Sequence, residues 1–235
     1  MPEHDDLFRD YCARIDRAYR ELGHCLGWRF LTCPRSNLSP STRVALISPN
    51  PGGNRDRPDH GRESCETGPA FLVEQWNSKT QEQVILLFRE LSRVLGVSTH
   101  DDQLLRESLT AYFVPFRSPD LARLVNKRAS LEFAEILWRD VFRTIDPHIV
   151  IALEKEVATR LSKIIFEKHR IFPGRESLSV GWGEYCADVH TFDSGLTRRV
   201  LIRFPNLGRF SIFGRPESQK PIEDILARCR QRDKN

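Results

Sequence analysis

Four apolar runs constrain this chain more than any other feature of its sequence. Val44-Ala45-Leu46-Ile47 runs into Ser48-Pro49-Asn50-Pro51-Gly52-Gly53, and Leu109 to Phe116 runs into Arg117-Ser118-Pro119. Ile149 to Leu153 leads into a helix beginning at Glu154, and Val200 to Phe204 meets Pro205-Asn206-Leu207-Gly208. Short continuous runs of this kind are buried on both faces of a sheet. Between them the apolar period changes to that of a helix. Val84, Leu87, Phe88, Leu91 and Leu95 mark one face over about Gln81 to Leu95, and further helices are predicted over Leu131 to Ile145 and Glu154 to Lys168. Strand alternating with helix predicts an α/β fold, a parallel sheet covered on both faces.

Outside this alternation, Leu7, Tyr11, Ile15, Ala18 and Leu22 line one face of an N-terminal helix that Gly23 ends, and an amphipathic helix is predicted from about Ser218 to Gln231. The Gly- and aromatic-rich region Phe172 to Asp193 predicts short strands or turns, and Gly52 to Pro69 a polar loop. There is no repeat and no low-complexity linker. At 235 residues the expectation is one domain, with a helical extension over 1–40, a core over 43–215 and a C-terminal helix over 218–232.

The charge balance is 36 basic against 32 acidic residues, a formal +4. It permits a polyanionic partner without demanding one. Of the basic residues 29 are Arg and 7 Lys, which suits forked contacts to phosphate, although a GC-rich genome explains the bias equally well. Cys12, Cys25, Cys33, Cys65, Cys186 and Cys229 form no Cys-x-x-Cys pair, and the seven histidines lie far apart in sequence. No metal or cofactor is expected, and the cysteines read as buried reduced thiols. No stretch approaches the roughly 20 apolar residues of a spanning helix, and the N-terminus lacks the pattern of a signal peptide. The chain reads as soluble and cytoplasmic, with no membrane partner.

In an open parallel sheet the ligand site lies beyond the carboxyl ends of the strands. Three of the strand ends carry unusual polar and aromatic residues that would converge on one edge. Asn50 sits in a proline-bounded turn and offers a carbonyl acceptor and two amide donors without charge. Tyr112 to Pro119 supplies aromatic walls, a phenol and Arg117. Arg203 to Phe210 supplies Asn206 and a loop with Leu207, Arg209 and Phe210. Taken singly, each also reads as a plain turn, a pair of core aromatics with a surface arginine, or an ordinary surface loop.

Together the three segments resemble the uracil-DNA glycosylase superfamily, over about Arg43 to Arg215. Pro49-Asn50-Pro51-Gly52 is similar to the first motif of the branches that carry Asn followed by Pro-Gly, the mismatch-specific and single-strand-selective types. Glu66 to Trp76 is similar to the stretch that follows this motif in uncharacterised bacterial relatives. Val114-Pro115-Phe116-Arg117-Ser118 resembles their second-strand segment, and Phe204-Pro205-Asn206-Leu207 falls where the family has its second motif. The resemblance implies a three-layer α/β/α domain around a central four-stranded parallel sheet. It implies Asn50 and Asn206 as catalytic residues, and Phe71, Tyr112, Pro51 and Gly52 as the base-binding wall. Contacts to DNA would come from Gly53, Arg117, Ser118, Leu207, Gly208, Arg209 and Phe210, with Arg117 and Arg209 on phosphate and Leu207 or Phe210 filling the vacated stack. The sequence departs from the family at Tyr112, where many members carry an Asn that reads uracil, and at Asn206, near the usual His of the second motif. The cysteines of the iron-sulfur branch are absent.

The function this implies is a monofunctional, monomeric DNA glycosylase. It flips out a non-standard pyrimidine and hydrolyses its N-glycosidic bond, leaving an abasic site. With the uracil-reading Asn replaced, a modified cytosine, as found in phage DNA, ranks ahead of uracil, and the role would then be defence against phage. A uracil or mismatch repair glycosylase is one alternative. Another is a DNA-binding module of the same fold without chemistry, against which Asn50 argues. A nucleotide hydrolase is a third, weakened by the lack of any Gly-x-x-x-x-Gly-Lys-[Ser/Thr] or Gly-x-Gly-x-x-Gly loop.

Overall fold

The computed structural model describes residues 2–57, 62–76, 78–195 and 197–230. Strands β1 (Val44–Ser48), β2 (Leu109–Tyr112), β3 (Ile149–Ala152), β4 (Gly174–Ser179), β5 (Cys186–Asp193) and β6 (Arg198–Arg203) form one sheet in the order β2-β1-β3-β6-β5-β4. The four apolar runs are its parallel part: β1 pairs with β2 and β3, and β3 with β6. The sheet is six-stranded, however, because the region expected to hold short strands or turns forms an antiparallel hairpin, β4–β5, added at β6. The four-stranded expectation is corrected accordingly.

Successive side chains of each parallel strand enter opposite layers, as the strand period of two requires. Ala45, Ile47, Val150, Ala152 and Leu201 pack into one core with Tyr11 and Ile15 of α1 (Pro2–Glu21), Leu137 and Trp138 of α5 (Lys127–Thr144), and Leu161 of α6 (Lys155–His169). Val44, Leu46, Ile151, Val200 and Ile202 pack into a second core with Val84, Leu87 and Leu91 of α3 (Lys79–Leu95) and Ile222 and Ile225 of α7 (Pro216–Leu226). Helices therefore cover both faces. Two single-turn helices, α2 (Ala70–Val73) and α4 (Gln103–Arg106), complete the set.

The segment expected as an N-terminal extension is part of this core. Beyond α1 the chain runs antiparallel along the outer side of β2, with bridges Leu31 to Ala111 and Trp28 to Phe116. Tyr112 N–H donates to Phe30 O at 3.0 Å and Thr32 N–H to Thr110 O at 2.8 Å, so the β2 edge is closed. Regular pairing of β2 with β1 ends at Tyr112 rather than at Phe116, because the chain then turns to follow the Pro49–Pro51 loop. The C-terminal helix gives way at Ala227 to a 3-10 turn that ends at Cys229, and the expected residues 231–232 lie outside the described residues. The expected polar loop has residues 62–69 in place, with 58–61 outside the described set.

Of the cysteines, Cys12, Cys33 and Cys229 are buried, and burial pushes their thiols up to about 12. Cys25 is exposed and Cys65 and Cys186 half-buried, which corrects the expectation of six buried thiols. Among the described residues no helix is long and apolar enough to cross a membrane.

Candidate active site

All four parallel strands end at one cavity of about 290 Å³, near the lower bound of roughly 300 Å³ for small-molecule pockets. Ser48 and Asn50 come from the end of β1, Tyr112 from β2, Leu153 from β3, and Asn206, Leu207 and Gly208 from the loop after β6. Phe71, Trp76, Ser78 and Thr80 close the remaining side. Strands β2 and β3 lie on opposite sides of β1, which is the switch point where such sheets open a crevice.

The Asn50 turn is held by the segment after β2. Phe113 N–H donates to Ser48 O at 2.7 Å, Val114 N–H to Pro49 O at 2.9 Å and Ser118 N–H to Pro51 O at 3.0 Å. Within this frame the buried Asn50 amide donates from Nδ2 to Pro51 O at 3.0 Å and to Ser118 O at 2.9 Å. Two carbonyl oxygens can be met only by the nitrogen of an amide, so its orientation is fixed. Both donor hydrogens are used, and Oδ1 accepts no hydrogen bond among the described residues. The side chain is presented as an uncharged acceptor.

Asn206 is arranged the opposite way. Its Oδ1 accepts from Arg209 N–H at 3.0 Å, and its backbone oxygen accepts from Arg209 and Phe210 N–H. Nδ2 is thereby left as donor on an exposed residue that lines the cavity. Gly208 lets this loop approach α3, since a Cβ there would lie 2.7 Å from Thr80 Oγ1. The helix begins at the N-cap Ser78, whose hydroxyl accepts from Gln81 N–H at 3.2 Å. Its positive dipole end thus meets the cavity, which favours negative charge there.

The aromatic wall rests on a network that the sequence did not disclose. Phe71 and Trp76 pack edge to face at 5.0 Å, and Trp76 Nε1 donates to Glu74 at 2.6 Å. Glu74 in turn takes both arms of the fully buried Arg29, at 3.0 and 2.6 Å. Gln81 Nε2 donates to Phe71 O at 3.0 Å and Glu74 O at 2.6 Å, tying α2 to α3. Tyr112 also lines the cavity, half-buried, with no hydrogen bond to its hydroxyl among the described residues. Burial raises its pKa, against the opposing pull of Arg29 and Arg117, so at neutral pH the group is a phenol able to donate or accept.

The structure therefore brings Asn50, Gly52, Phe71, Tyr112, Asn206, Leu207 and Gly208 together at the cavity. Three of the expected DNA contacts are corrected. Arg117 is only 8% exposed and its guanidinium donates to Gly52 O; it braces the motif turn instead of forking onto phosphate. Ser118 is buried, its hydroxyl donating to Asp120 O and its backbone to the Asn50 turn. Leu207 is 2% exposed in the second core and has no free side chain to fill a vacated base stack. Gly53, at φ +103, occupies a backbone conformation that other residues rarely adopt, near the Arg117 guanidinium. Pro51 contributes its carbonyl to Asn50, while Arg209 is exposed and Phe210 half-buried against the second core.

Sequence reasoning missed Trp76, Ser78, Thr80 and Leu153 as wall residues. Leu153 was available from the strand-end logic applied to the other three runs. Ser78-Lys79-Thr80-Gln81 was available as a Ser-x-x-Gln helix start. No protein-family model matches the chain, and no curated protein sequence matches it.

Proposed function

We propose that this chain is a monofunctional DNA glycosylase acting on a non-standard pyrimidine. The observation that carries the proposal is the Asn50 amide, locked by two backbone carbonyls so that an uncharged acceptor stands in a base-sized cavity walled by Phe71, Trp76 and Tyr112. An N-glycosidic bond breaks through an oxocarbenium-like sugar, which asks little of the nucleophile beyond placement. Asn50 Oδ1 can accept a hydrogen bond from a water and hold it below C1′. The departing base gathers negative charge, and the donors facing it are Asn206 Nδ2 and the N-terminus of α3. Trp76, half-buried at the cavity, offers a face for an extruded base, with the buried Phe71 packed edge to face against it.

Tyr112 supports a substrate other than plain uracil. An Asn in its place donates to O4 and accepts from N3–H at once, whereas the phenol offers one oxygen on a bulky ring. We rank a modified cytosine of the phage type ahead of uracil on this ground. The test is to incubate the protein with DNA containing uracil, mismatched thymine, hydroxymethylcytosine or glucosylated hydroxymethylcytosine, then cleave abasic sites with alkali. Alkali-labile sites in one of the cytosine-derived substrates are expected. No cleavage of any of the four would refute the enzyme reading in favour of a binding module.

A further inference from the structure

The β4–β5 hairpin carries an aromatic cluster at the same carboxyl edge of the sheet, beside the cavity. Trp182 and Tyr185 of its tip stack at 5.2 Å and 23°, and Tyr185 lies 4.2 Å from Phe210. Two guanidinium groups border the rings, Arg209 at 5.3 Å from Phe210 and Arg215 at 4.3 Å from Trp182; Arg215 is half-buried and held over the indole by Ser211 O and an ion pair with Glu217 at 3.5 Å. Arg209 is exposed and makes no ion pair among the described residues. Tyr185, the outermost ring, is 37% exposed.

This cluster is built into the fold. Gly181, at φ +78, sits so close to α7 that a Cβ would lie 2.4 Å from Glu217 O and 2.7 Å from Pro221. Val180 N–H closes the tip onto Tyr185 O at 3.0 Å. Phe210 belongs to the turn whose first residue is Asn206, since its N–H donates to Asn206 O at 2.9 Å. A rigid turn therefore joins the cavity wall to the aromatic surface.

We propose that Trp182, Tyr185 and Phe210, with Arg209 and Arg215, form a stacking platform for an unpaired base next to the one held in the cavity, so that the chain takes single-stranded DNA in preference to duplex. The proposal rests on the glycosylase reading for its polymer. Rings accept a base face only where that base has lost its stacking neighbour; the exposed Arg209 beside them meets a neighbouring phosphate, while Arg215 buttresses Trp182. In a continuous duplex no such face is offered.

The experiment measures binding of the full chain to a fluorescent oligodeoxythymidine and to a duplex of the same length, neither containing a target base. Tyr185→Ala is expected to weaken single-strand binding at least about fivefold, the low end of what one lost base stack does, and Tyr185→Phe to retain it. Should Tyr185→Ala lower the thermal midpoint, Tyr185→Leu is read instead, since it keeps an apolar cover over Phe210 but has no aromatic face. Wild-type affinity in the variant, or an equal loss on duplex and single strand, overturns the platform. Base release does not enter this measurement. A chain that releases no base yet shows Tyr185-dependent binding keeps the platform and loses the glycosylase reading; release of base alongside Tyr185-independent binding does the reverse.

Discussion

Replacing Asn50 by Asp tests the geometry of the motif turn, because the two side chains differ only where the structure makes its demand. The amide gives one hydrogen to Pro51 O and one to Ser118 O, at 3.0 and 2.9 Å. Pro51 O keeps the Ser118 N–H when the amide is lost, whereas Ser118 O has no other partner among the described residues. At about 0.5–1.5 kcal/mol net for each hydrogen bond, the loss comes to about 1–3 kcal/mol, or roughly 2–12 °C in thermal midpoint for a chain of this length. A carboxylate would also face those two oxygens, which favours its protonated form and raises its folded pKa above the roughly 3.9 of the unfolded chain. The folded state then retains a proton that the unfolded state releases. The deficit against wild type should therefore be smallest below about pH 4, grow as pH rises, and level off once the folded pKa is passed. Asn50→Ala should show the hydrogen-bond loss at every pH, without this slope. Thermal unfolding from pH 4 to 8 distinguishes them, and alkali cleavage under single turnover measures the chemistry. Both variants should lose base release by about 100-fold or more at neutral pH while still binding DNA. Turnover at the wild-type rate in Asn50→Ala refutes the catalytic role, and a pH-independent deficit in Asn50→Asp refutes the orientation of the amide.

The remaining expectations concern three further positions. Arg209→Ala should reduce the slope of log K against log salt by about 0.7 on a single strand, whereas Arg117→Ala should leave that slope alone and lower the thermal midpoint by freeing the Gly52 turn; salt titrations and unfolding curves of the two variants check this. Tyr112→Asn should raise uracil release relative to the preferred substrate, measured as a ratio of single-turnover rates, and an unchanged ratio would remove Tyr112 from base reading. Burial tends to raise the Asp146 pKa, but hydrogen bonds from Arg199 and Lys168 outweigh it and hold the group at about 2. Its stabilising effect is present above the unfolded value and lost as pH falls from about 4 to 2. Asp146→Asn should therefore cost about 1 kcal/mol at pH 7, discounted for its exposure, with the difference closing in acid unfolding curves near pH 2.

The parallel half of the sheet was legible because burial on both faces leaves an uninterrupted apolar run, and nothing else in a chain writes Val-Ala-Leu-Ile so plainly before a Pro-Asn-Pro turn. The hairpin was not. Gly174-Arg-Glu-Ser-Leu-Ser is exposed at five of its six residues, so β4 is held by backbone pairing, which leaves little side-chain pattern. Within the site, Asn50, Phe71, Tyr112 and Asn206 could be placed together because each follows from a strand end or from the resemblance carried by these segments. Arg117 and Leu207 were misjudged for a common reason. Side-chain type suggests a surface fork in one and a protruding wedge in the other, whereas the path of the backbone turns both inward, onto Gly52 and into the second core. Trp76 sits in a stretch whose pattern is the same whether the indole fills a core or walls a cavity; only the Glu74 and Arg29 contacts decide.

The strand order also sets a timetable for synthesis. The first strand to leave the ribosome, β1, is buried at all five of its residues, and its two neighbours start at Leu109 and Ile149. At about 5–20 residues per second, β1 waits roughly 3–12 s for β2 and roughly 5–20 s for β3. Throughout that interval Val44–Ser48 has no sheet partner, and the Asn50 turn lacks Phe113, Val114 and Ser118, the residues whose N–H groups fix its carbonyls. The cavity is among the last parts of the molecule to exist, since its Asn206 wall follows β6, and a chain cut short of that strand has most of the α/β layers but an open strand edge where the cavity would close.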